Sequence, residues 1–245
     1  MFKLKINHHA AARLGAVVAL AFATEAAGAE LTREQASDEV KTLAPYRVMS
    51  EHYPAEFEKM LALLVKESKK GRSVREVALD NNPVMSELMS RQLPKTSASN
   101  ALLELQYTIV EAKAAAAVKP KYCLAVLGMS KSDRPFDDYL PPDLAVKQME
   151  LAADVLLQTA TAPEAPPPPI DGKLLRKITE DAYFSLPNER LRAAFNETGD
   201  DPSRAITPLQ QTAHCQLAIG ILEQILALPP AEAAVTYRSF AVDGS

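Results

Sequence analysis

Residues 101–118, ALLELQYTIVEAKAAAAV, contain neither proline nor glycine and set Leu102, Leu105, Ile109, Ala112 and Ala116 along one stripe. Leu103, Tyr107, Val110 and Ala114 lie beside that stripe. An apolar face this broad at a 3.6-residue period belongs to a helix covered by neighbours on more than one side. The spacing therefore predicts a central helix of about five turns in an all-α molecule.

The same period recurs outward from it. Towards the N-terminus, Val84, Met85, Leu88 and Met89 follow an interruption at Asn81-Asn82-Pro83, where the residue before proline is pushed out of the α region. Ser73 and Glu76 have capping-box spacing, and Pro54 opens a helix carrying Phe57, Met60, Leu61, Leu64 and Val65 that closes at Gly71. Thr32 caps a first short helix, and Pro45 ends or restarts it. Towards the C-terminus, Pro120 breaks the central helix, and YCLAVLG (122–128) is assigned to a helix by its context. A polar loop over 130–141 precedes Pro142, which opens a helix through Leu144, Met149, Ala152, Leu156 and Leu157. Asp171, Pro187, Thr207-Pro208 and Pro230 mark four further helix starts. LAIGIL (217–222) is apolar all round and is expected to be buried on several sides. Eight to ten helices result. Only 8 glycines in 245 residues agree with this, and most of the 18 prolines fall where a missing N–H costs little.

TATAPEAPPPP, residues 159–169, reads as an extended, stiff crossover on the surface. It divides a helical part over 30–158 from another over 170–245. The two cysteines, Cys123 and Cys215, lie on opposite sides of it. A disulfide requires Cα atoms about 4.4–6.8 Å apart, so a bridge would put the two most apolar helical segments in contact and make the parts one domain. Two buried, reduced thiols would be the other way to house them.

The first 29 residues have the anatomy of a secretory leader. Lys3, Lys5 and Arg13 precede an uncharged run from Leu14 to Ala23, and Ala27-Gly28-Ala29 offers small residues for cleavage. The run is about half the length that spans a bilayer, so no transmembrane segment is expected in the mature chain. Cleavage near Ala29 would place the protein in the periplasm or outside the cell, a compartment that favours the disulfide. Loss of the leader takes the formal charge from −4 to about −6, and so mildly acidic a chain is not expected to bind nucleic acid.

Chemistry is sparse. Only His52 and His214 remain after the leader, and His214 beside Cys215 points about 100° away from it on a helix, so the two do not form a metal grip. No metal site, cofactor site or catalytic set is expected. Glu104 and Glu111 fall two turns apart on one face of the central helix, with no second signal to make either a catalytic acid. Asp137-Asp138 and Asp200-Asp201 read as solvated turns. The sharpest charge cluster is Lys66, Lys69, Lys70, Arg72 and Arg75 around Gly71, a candidate anion-binding patch that also has an ordinary use as cations at a helix C-terminus. Met49, Met60, Met85, Met89 and Met149 suit either core filling or an adaptable apolar groove. The expected role is non-catalytic, binding a partner protein or a cell-envelope component. A carrier for a small apolar ligand and an envelope hydrolase built from dispersed carboxylates are the alternatives.

Overall fold

A computed structural model describes residues 31–79, 82–131 and 138–242, and every regular element among them is helical. In chain order these are α1 (Arg33–Val40), α2 (Ala44–His52), α3 (Pro54–Ser68), α4 (Val74–Leu79), α5 (Pro83–Gln92) and α6 (Ala98–Val118). There follow α7 (Pro120–Val126), α8 (Pro142–Thr161), α9 (Gly172–Phe184), α10 (Glu189–Thr198), α11 (Pro208–Leu226) and α12 (Pro230–Val242). The leader assigned to residues 1–29, together with Asn81 and Asp137, lies outside the described residues.

Local chemistry sets most of the boundaries. Thr32 and Thr207 both form the reciprocal capping box, each accepting from the N–H three residues on while the glutamine there returns the bond. Ser73 and Glu76 do the same for α4, with Ser73 N–H donating to the carboxylate at 2.7 Å. Gly71 takes φ +81, a left-handed conformation that lets the chain leave α3 and turn into α4.

Three boundaries differ from the expectation. Asn82 does more than interrupt a helix: its Oδ1 caps α5 by accepting from Val84 N–H at 2.9 Å. Its Nδ2 meanwhile donates to the buried Tyr46 hydroxyl at 3.2 Å. Pro187 does not open α10, because Asn188 supplies the cap by accepting from Leu191 N–H at 3.0 Å. The expected crossover starts too early at 159, since α8 continues to Thr161. Thr159 is buried there, its hydroxyl 2.9 Å from that of Tyr53 on α2/α3.

The core falls into two clusters that do not follow the division at the proline-rich segment. One joins α1–α5 to α8 and contains all five of the methionines at 49, 60, 85, 89 and 149. The other joins α6 and α7 to α9–α12. Because α6 precedes α8 in the chain yet belongs with the later helices, the two parts interleave. Gln158 near the end of α8 ties them further, its Oε1 accepting from Thr96 Oγ1 and Ser97 N–H at 3.0 Å each at the start of α6. Cys123 on α7 and Cys215 on α11 are at bonding distance with Cα atoms 5.9 Å apart, a bridge inside the second cluster.

The proline-rich segment is exposed and extended, as composition predicts, but it is fastened. Glu164 N–H donates to Lys95 carbonyl at 2.9 Å. Arg238 on α12 donates to the Pro94 carbonyl through Nε and Nη2 (3.0 and 2.7 Å), to Ala165 carbonyl at 2.7 Å and to the Glu164 carboxylate at 2.5 Å. Ser239 Oγ adds a bond to Pro168 carbonyl at 2.8 Å.

Candidate functional site

Four places in the fold carry chemistry. The first is the interface of α6 with α12, where Glu104 and Glu111 are 2% and 1% exposed beside the buried Thr108 and Tyr237. No hydrogen-bond partner reaches Glu104 Oε2. Burial pushes the Glu104 carboxyl up to about 8, and burial together with the two carboxylates holds the Tyr237 phenol well above its usual range. A group that is neutral in the fold and ionised in the unfolded chain favours folding most at low pH, and that contribution is lost as pH rises from about 4.5 towards 8. Glu104→Gln is therefore expected to flatten the fall in unfolding free energy between pH 5 and pH 8, and to gain about 2 kcal/mol at the upper end. Urea titrations at both pH values measure it; parallel profiles for the two proteins would contradict the burial. These acids sit inside a helix interface and do not face one another across an open cleft.

The second place is the bridge and its neighbour His214. With both sulfurs joined, neither cysteine offers a thiolate. His214 is satisfied by a hydroxyl from the neighbouring helix, not by a local carbonyl. Thr198 Oγ1 on α10 lies 2.7 Å from Nε2 and also donates to the Phe195 carbonyl at 3.0 Å. Nδ1 has no partner. Burial lowers the imidazole pKa, which keeps the ring neutral. Asp201 closes the turn leading to α11, where its carboxylate accepts from Ser203 Oγ at 2.6 Å and N–H at 3.0 Å.

The third is the basic turn. The α3–α4 connection does gather Lys66, Lys69, Lys70, Arg72 and Arg75, but Glu67 sits among them. Lys70 bonds its carboxylate at 2.6 Å and Arg72 approaches within 3.6 Å, which holds Glu67 below the ordinary carboxylate range. Part of the positive charge is thereby answered within the chain.

The fourth, which sequence reading missed, is a recess of about 150 Å³ at the end of α9. Thr179, Glu180, Tyr183 and Phe184 from α9, Phe195 from α10 and Leu217 from α11 line it. The helical period that put Ile178 and Ala182 into the core carries Thr179 and Tyr183 to its flank. Phe184 falls at the helix end, 72% exposed. Its ring is 5.4 Å from Tyr183 at 77°, and Tyr183 is 6.0 Å from Phe195 at 61°, so the three rings wall the recess from different directions.

No family model matches the chain, and no curated protein or solved structure is similar to it. Among the described residues no group of three or more His, Cys, Asp or Glu side chains could hold a metal ion. Nor is any helix there long and apolar enough to cross a membrane.

Proposed function

We propose that the chain is a non-catalytic binding protein of the periplasm or the extracellular space, and that it engages a partner protein or cell-envelope component with the α9–α10 end. The observation that carries this is Phe184. A phenylalanine held 72% exposed beside an aromatic-lined hollow keeps apolar surface in water at a cost that a bound partner would recover. Aromatic anchors next to pockets are also where binding energy concentrates in interfaces. The leader-like N-terminus and the joined cysteines support the compartment.

The test places a photo-reactive phenylalanine at position 184 and, as a control, at the exposed Glu232 on α12. Irradiation of intact cells is expected to give a discrete adduct from position 184 alone, on a chain whose first residue is Glu30. Equal labelling from both positions, or none from 184, would overturn the proposal.

A further inference from the structure

Resting on that reading of the α9–α10 end, we infer that the recess is a site for an organic quaternary ammonium group. Its volume of about 150 Å³ is that of a cavity known to hold a single benzene-sized group, so it takes one compact moiety and not an extended chain. Its lining selects for positive charge. Tyr183, Phe184 and Phe195 present three mutually inclined rings, and a cation near the faces of such rings is held by their quadrupoles. Glu180 adds a carboxylate on the same rim. Lys177, one turn earlier, is paired with Asp181 at 2.6 Å, and among the described residues Glu180 has no ion-pair partner.

The lining also has no hydroxyl proton to spare for an anionic ligand or a hydrogen-bond acceptor. Thr179 Oγ1 already donates to the Leu175 carbonyl at 2.9 Å, and the Tyr183 hydroxyl is engaged with Asn196 at 2.9 Å. Leu217 and the rings supply only apolar surface. A primary ammonium would surrender the water held by its three N–H groups for a largely apolar wall. Methylated nitrogen has none to satisfy: its methyls fill the apolar volume while its charge meets Glu180. The same group occurs in free choline-like solutes and in the headgroup of phosphatidylcholine, and either source fits this chemistry.

Calorimetric titration of the mature protein with choline and with its uncharged isostere 3,3-dimethylbutan-1-ol separates charge from shape. Choline is expected to bind at least about tenfold more tightly, with Glu180→Gln and Phe184→Ala each removing most of that preference. Both side chains are exposed, so neither change threatens the fold. Flotation with phosphatidylcholine vesicles against phosphatidylglycerol vesicles identifies the source: selective flotation that free choline reverses assigns the headgroup, and choline binding without flotation assigns the solute. Equal binding of the two isosteres, or no binding of choline at 10 mM together with no selective flotation, overturns the inference. If the adduct at position 184 persists in either case, the binding role stands with a different ligand; if it is also missing, both fall.

Discussion

Cys123→Ser is expected to lower the free energy of unfolding by about 4 kcal/mol, and adding Cys215→Ser to leave the midpoint where the single substitution put it. The bridge closes a separation of 92 residues, for which loop-closure entropy gives about 4–5 kcal/mol. That is a large share of the roughly 5–15 kcal/mol that holds a domain together. Both sulfurs are fully buried between α7 and α11, so each serine also leaves a hydroxyl in an apolar cluster, and reduction of the wild-type chain gives the cleaner reference. Urea denaturation of the single variants, the double variant and the reduced wild type measures the effect. Additive losses for the two serines would show that the sulfurs contribute separately and not as one bond.

Arg238→Met costs about 3 kcal/mol, the second largest loss expected of a single side chain. The guanidinium is 6% exposed and makes four donations: two to Pro94 carbonyl, one to Ala165 carbonyl and one to Glu164. Methionine keeps much of the volume but leaves two backbone acceptors without their donor, each worth about 1–3 kcal/mol when buried. Arg238→Lys recovers less than half, because a single ammonium cannot span carbonyls on two separate segments with the fork a guanidinium provides. The loss shows in urea denaturation. It also shows as faster cleavage after Glu164 by a glutamate-specific protease, since the extended segment is then held by fewer bonds. An unfolding free energy within 1 kcal/mol of wild type would mean that the contacts are surface decoration.

Much of this fold is legible in periodicity and capping. The stripe on residues 101–118 becomes α6, Thr32 and Thr207 cap their helices, and the cysteine pair comes together. What could not be read is what depends on partners far away in the chain. Asn82 looks like a breaker until Tyr46, 36 residues earlier, is placed beside it. Arg238 reads as an ordinary helix cation because its acceptors, Pro94 and Ala165, lie 144 and 73 residues away. The candidate site was illegible for the same reason: Phe184, Phe195 and Leu217 come from three helices, and each alone looks like core. The one available signal was Phe184 itself, the apolar last residue of α9 standing off the stripe that Ile178 and Ala182 define.

The placement of Arg238 also governs when a nascent molecule can finish. The helices of the first cluster and the tail of α8 emerge early, yet the carbonyl of Pro94 waits for a donor 144 residues downstream, and Cys123 waits 92 residues for its mate. A chain made from its N-terminus therefore completes these contacts only once the closing turns of α12 exist.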